Sequence, residues 1–230
     1  MSRDEEGCFV RLTRLVSSRL GKVILSAVIA TCVSFAANAQ TVQNNGTGTN
    51  NGFFYSLFTS SGSATMTFGA QYPGNYAISW SHVGDMVGGK GWRTGSNMSV
   101  GYNVGSASGY NTISVYGWTT SPLVEYYITE LGSLYTGNAT HKGSVSSDGH
   151  TYQTYEHQQV NQPSIIGTAT FEQYLDAWGG SSTGSNHTVT TGNHFSHWQS
   201  LGMPLGSFNY MILATEAYNG ASGQVNATVW

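Results

Sequence analysis

The chain has 230 residues, of which 39% are hydrophobic and only 8% charged, with a formal net charge of −3 at pH 7. Residues 40–230 keep three Lys and Arg side chains against eight Asp and Glu. So few cations cannot neutralise a phosphate backbone, and nucleic acid is excluded as a partner.

The N-terminal segment reads as a leader. Arg3, Arg11, Arg14, Arg19 and Lys22 precede an apolar run over 23–35, and the small residues Ala37-Asn38-Ala39 follow it. This pattern predicts a signal peptide over 1–39 and a secreted, extracellular mature chain over 40–230. Asp4-Glu5-Glu6 is unusual in such a leader. The apolar run falls short of the roughly 20 residues a membrane-spanning helix needs, so no membrane association is expected. Both cysteines, Cys8 and Cys32, lie in the leader, leaving the remainder without disulfide or thiol. Its length nevertheless suffices for one core without staples.

From Gln40 onward, short alternating runs are punctuated by Gly, Asn and Ser, as in Tyr76–Trp80, Met98–Tyr102 and Thr112–Tyr116. Such spacing predicts one all-β domain, a sandwich or barrel. The uncharged polar residues and the 13% of aromatics suit a surface that meets neutral sugars, and equally an ordinary secreted β protein. Asn45, Asn97, Asn138, Asn186 and Asn226 each head a glycosylation sequon, which marks them as surface positions.

One segment departs from the pattern. Thr191-Gly192-Asn193 signals a helix start, Phe195, Trp198 and Leu201 follow at three-residue spacing, and Gly202 and Pro204 end the run. One short amphipathic helix on a sheet is predicted. His194 and His197 sit at i, i+3 on it, but without cysteine or a patterned carboxylate they read as solvent-facing residues. No metal and no cofactor are expected.

Two glutamates stand in apolar strand-like runs, Pro122–Ile128 around Glu125 and Tyr210–Tyr218 around Glu216. Burying a carboxylate is costly, so such positions call for a purpose. Strand parity puts Glu125 on one face with Leu123, Tyr127 and Thr129, and Glu216 on one face with Tyr210, Ile212, Ala214 and Tyr218. If the fold turns these faces toward each other, the result is a carboxyl pair framed by phenols, as glycosidic cleavage requires. The alternative is two exposed strand faces with unrelated tyrosines.

Pro122-Leu-Val-Glu-Tyr-Tyr-Ile128, preceded by Val115-Tyr-Gly-Trp118, closely resembles the first catalytic signature of glycoside hydrolase family 11, the small endo-β-1,4-xylanases. Ala214-Thr-Glu-Ala-Tyr218 is similar to the second, with Ala217 where glycine is usual. Val87–Trp92, Asn161–Ile165 and Thr190–Phe195 resemble further family motifs in the expected order. The resemblance implies a two-sheet β-jelly roll shaped like a partly closed right hand, with a xylan cleft under a thumb hairpin and a retaining double displacement. Residue by residue, it implies Glu125 as nucleophile, Glu216 as general acid/base, Tyr116 and Tyr127 beside the nucleophile, and Tyr210, Gln173 and Tyr218 lining the cleft. Pro163 marks the thumb tip. Phe58 replaces a stacking tryptophan, Gln159 a thumb arginine and Leu175 a tryptophan. The loop from Leu131 to His141 lacks a usual proline.

Asp85 stands where the family has Asn or Asp against the acid/base, and Asp there implies an acidic pH optimum. Two carboxyls in contact share protons and titrate as a pair. The expected protein is a monomeric secreted endo-1,4-β-xylanase acting on xylan or xylo-oligosaccharides. A lectin-like carbohydrate-binding jelly roll or a related jelly-roll cellulase is the alternative.

Overall fold

The computed structural model describes residues 40–230, so the leader and its cysteines lie outside the described residues. Thirteen strands and one helix run in the order β1 (Thr41–Gln43), β2 (Gly46–Asn50), β3 (Phe53–Thr59), β4 (Ser63–Phe68), β5 (Asn75–Trp92), β6 (Ser99–Ser108), β7 (Thr112–Thr120), β8 (Val124–Gly132), β9 (Thr140–Ser147), β10 (His150–Ser164), β11 (Gly167–Ala177), β12 (Asn186–Thr190), α1 (Thr191–Ser200) and β13 (Ser207–Val229). Among the described residues no helix is long and apolar enough to cross a membrane.

The all-β jelly-roll expectation holds, but two strands are far longer than the punctuated sequence suggests. β5 and β13 pair with each other along nearly their whole length and belong to both layers. Their outer halves pair with β4 and β6, and β1 and β12 extend that layer. Their inner halves pair with β3 and β7, and β2, β8, β11, β10 and β9 complete the second layer. The β8 to β11 contact is parallel.

Both ribbons bend where the layers part. The β13–β5 register slips between Tyr218 and Ala221, where Asn219 and Gly220 take φ of 62° and 77°. On β5, His82 has φ 49°, and its backbone N–H donates to Ser222 Oγ at 2.9 Å, tying one bend to the other.

The glycines of Val87–Trp92 do not break β5, because close approach needs them. A Cβ on Gly89 would strike the carbonyl of Leu213, and one on Gly91 that of Met211. Lys90, between them, is fully buried; its ammonium donates to Asn50 Oδ1 at 2.8 Å and the Pro73 carbonyl at 2.6 Å, and lies 4.8 Å from the centre of the Phe68 ring.

Alternation along the strands divides the apolar residues into two sets. Met66, Tyr76, Ile78, Val115, Tyr126, Ile128 and Leu213 fill the space between layers. Phe54, Tyr116, Trp118, Tyr127, Phe171, Ile212 and Ala214 form the concave outer face of the second layer. Burying each large apolar side chain contributes about 1.5–3 kcal/mol, so both faces of this layer add to stability.

The predicted helix is α1, and it ends as expected. Gly202 takes φ 73°, while the N–H groups of Gly202 and Met203 return to the carbonyls of Gln199 and Trp198, the paired bonds of a Schellman cap. The reading of its histidines is corrected. His194 is fully buried, with Nδ1 2.6 Å from Oδ2 of Asp176 on β11, and His197 is half-buried. Asp176 also accepts from Trp198 Nε1 at 3.0 Å and Thr154 Oγ1 at 2.6 Å. This polar knot fastens the helix to the core side of the sheet, so its imidazole is a structural partner and not a solvated group.

Candidate active site

Glu125 on β8 and Glu216 on β13 open into one cleft of about 590 Å³ on the concave face. β7 separates their strands, with Trp118 opposite Glu125 and Thr112 opposite Glu216. The parity argument is met on both strands: Val124, Tyr126 and Ile128 point into the core, as do Met211, Leu213 and Ala217.

Glu125 is 93% buried and carries three hydrogen bonds. Tyr116 Oη donates to its Oε1 at 2.7 Å, Tyr127 Oη to the same atom at 3.3 Å, and Gln173 Nε2 to Oε2 at 2.6 Å. Trp118 Nε1 donates to Tyr116 Oη at 2.7 Å, which leaves the phenol proton for the carboxylate. Burial pushes Glu125 up to about 7, against these donors, which favour the charged form, and with the help of the nearby charge on Asp85.

Glu216 stands well above the usual carboxylate range, first because of burial and then because of the charges of Asp85 and Glu125. Asp85, half-buried on β5 opposite Tyr218, is likewise raised by burial, partly offset by the backbone N–H of Met86. Its Oδ1 is buried without a hydrogen-bond partner. Three carboxyls therefore share one poorly solvated space, and the three donors on Glu125 favour its charged form, whereas Glu216 has only the Thr112 hydroxyl acting in that sense. One ionised carboxylate facing one protonated carboxyl is the arrangement that general acid and nucleophilic catalysis use.

The other sequence-predicted residues gather around these. Tyr210 packs on Phe54 with ring centres 5.2 Å apart and on Tyr116 at 6.1 Å. Phe58, half-buried, and Pro163, exposed at the tip of the β10–β11 hairpin, line the same stretch. Tyr218 lies in an adjoining stretch with Glu216, Leu134, the exposed Tyr135 and Leu175. Gln159, at the base of the hairpin, donates from Nε2 to Gln173 Oε1 at 3.0 Å.

Sequence reasoning passed over Trp118, Phe54 and Arg93. Trp118 stood inside a quoted motif, and its strand parity with Tyr116 was the available signal. Nothing local marks Phe54 or Arg93.

The profile of Glycosyl hydrolases family 11 matches residues 50–228, and the chain belongs to that family. It is 49% identical over 187 residues to endo-1,4-beta-xylanase B of Phanerodontia chrysosporium, covering 80% of this chain and 63% of that relative, so the match spans less than two thirds of the relative's length. It is 47% identical to ethylene-inducing xylanase 1 of Botryotinia fuckeliana, over 90% of this chain and 75% of the relative. With endo-1,4-beta-xylanase 2 of Rhizopus oryzae the identity is 45%, over 89% and 97% of the two chains. A solved structure from a comparison of two major endo-1,4-beta-xylanases of Trichoderma reesei superposes with a TM-score of 0.66 at 37% identity, covering 82% of this chain and 99% of that one.

Proposed function

We propose that this chain is a secreted endo-1,4-β-xylanase that cleaves internal bonds of xylan by a retaining double displacement, with an acidic pH optimum. The observation that carries the reading is the pair of unequal carboxyls at the centre of an aromatic cleft: Glu125 held by three donors, Glu216 raised by burial and by its charged neighbours. The names of the relatives supply the substrate class.

In the first step Glu125 attacks the anomeric carbon while Glu216 gives its proton to the departing glycosidic oxygen. In the second, Glu216 takes a proton from water, the oxygen of that water bonds to the anomeric carbon, and the bond to Glu125 breaks. Tyr116, Tyr127 and Gln173 hold Glu125 in place through both steps. Phe58, Tyr210 and Tyr218 offer ring faces to sugars, and Pro163 closes over them from the thumb.

Asp85 supports acidic operation. At low pH it is neutral, and the charge that helps raise Glu125 is absent, so Glu125 ionises more readily while Glu216 keeps its proton. As pH rises Asp85 ionises, and its charge opposes the ionisation of Glu125, so the state with neutral Asp85 belongs to the acidic side.

Release of reducing sugar from xylan against carboxymethylcellulose separates a xylanase from a cellulase. Glu216→Ala abolishing cleavage while leaving xylan binding intact separates an enzyme from a lectin. Equal release from both polysaccharides, or full activity in Glu216→Ala, overturns the reading.

A further inference from the structure

Residues 40–230 hold three strongly basic side chains, and two of them are engaged within the fold. Lys90 is sealed in the core, and Lys142 pairs with Glu156 at 2.8 Å. Arg93 follows immediately after β5 and is exposed on the wall of the cleft. Its guanidinium carbon lies 4.8 Å from the centre of the Phe54 ring, and it forms no ion pair with any carboxylate among the described residues.

Its place in the cleft is defined by a row of rings. Phe54 packs on Tyr210, Tyr210 on Tyr116, and the Tyr116 hydroxyl reaches Glu125. Arg93 thus ends a path that begins at the nucleophile. The stretch it lines contains both glutamates with Phe58 and Pro163, whereas the stretch lined by Tyr218 and Tyr135 contains Glu216 but not Glu125, so the Arg93 side is the one that extends from the nucleophile. The nucleophile bonds to the sugar that stays behind when the leaving group departs, so Arg93 flanks the retained part of the chain.

We propose that Arg93 is a specificity-determining residue that recognises a carboxylate branch, a uronic acid substituent, on the retained side of the xylan chain. This rests on the xylanase reading. A neutral pentose backbone gives a guanidinium nothing to neutralise. The carboxyls facing the cleft, Asp85, Glu125 and Glu216, repel a uronate whenever they are ionised, and Arg93 is the strongly basic group that faces it. A guanidinium lying over an aromatic ring keeps its in-plane N–H groups free for bidentate contact with a carboxylate, and the ring contact limits its freedom before binding.

The test compares kcat/KM on unbranched xylohexaose with kcat/KM on a xylo-oligosaccharide of equal length bearing one glucuronic acid branch, in the wild type, Arg93→Gln, Arg93→Lys and Arg93→Glu. The ratio of acidic to neutral substrate falls roughly two- to fivefold in Arg93→Gln, as expected for an exposed ion pair. It falls further in Arg93→Glu and recovers in part in Arg93→Lys. The wild-type ratio shrinks toward that of Arg93→Gln as sodium chloride rises to about 1 M, where screening is strong. A ratio that stays the same across all four proteins, with both substrates cleaved, overturns the assignment of Arg93 alone. A wild-type protein that cleaves neither substrate overturns the xylanase reading and the branch recognition with it.

Discussion

Gln173 is held between two partners: its Nε2 donates to Glu125 Oε2 at 2.6 Å, while its Oε1 accepts from Gln159 Nε2 at 3.0 Å. The second bond sets which end of the Gln173 amide faces the carboxylate. Were the amide reversed, its oxygen would meet Glu125 and oppose ionisation. The hairpin base therefore orients a group that favours the charged form of Glu125, although Gln159 makes no hydrogen bond to it.

Gln159→Leu removes that constraint. The acid limb of kcat moves to higher pH because Glu125 loses some of the support for its charged form. At the optimum kcat drops roughly two- to tenfold, the worth of one hydrogen bond, with KM less affected. A pH–kcat profile superimposable on the wild type would falsify the orienting role.

Asp85→Asn replaces a group that ionises by one that stays neutral at every pH. In the wild type Asp85 and Glu216 share protons as a coupled pair, so activity falls as that pair begins to ionise, whereas with asparagine the base limb is set by Glu216 alone. The optimum shifts upward, as read from kcat/KM on xylan between pH 3 and 9. An unmoved optimum counts against Asp85 as the group that sets it.

Stability follows the same carboxyls with a definite sign. Glu125, Glu216 and Asp85 are all raised in the folded state, so their contribution is fully present below their ordinary values near 4 and is lost as pH rises through the folded ones, which for Glu125 means between 4.5 and about 7. Asp148 is lowered, by hydrogen bonds from Ser147 and Thr190, and works in the opposite sense only on the strongly acid side. Tm therefore rises on going from pH 8 to pH 5, and Glu125→Gln flattens that rise. A Tm slope unchanged in Glu125→Gln contradicts the assignment.

Asp176→Ala leaves the Nδ1 of His194, the Nε1 of Trp198 and the Thr154 hydroxyl without their common acceptor inside the fold. The expected loss is about 3–5 kcal/mol in urea unfolding, the range for removing one member of a buried polar pair. A loss below about 1 kcal/mol, the size of an ordinary surface change, refutes the role given to this knot.

The pairing of the two carboxyls was legible because strand periodicity is local: a glutamate two residues from a tyrosine shares its face whatever the rest of the chain does. The helix was legible for the same reason, from Thr191 to Gly202. Legibility ended where distant backbone decides. Gly89 and Gly91 resemble strand breakers until the carbonyls of Leu213 and Met211 arrive against them. His194 looks solvated on its own helix, and only Asp176, 18 residues earlier on another element, makes it a core residue. Arg93 carries no local mark, since its significance lies in Phe54 beneath it and in the cleft's surplus of acids.

β5 and β13 carry Asp85 and Glu216 on their inner halves and core residues of the opposite layer on their outer halves. The placement of Asp85 and Glu216, which stand just inside the bends, is accordingly tied to ribbon curvature at His82 and at Asn219-Gly220. Like the fold line of a hinge, each bend lies outside the lining of the cleft, so the position of these two carboxyls is open to adjustment by residues that do not face it.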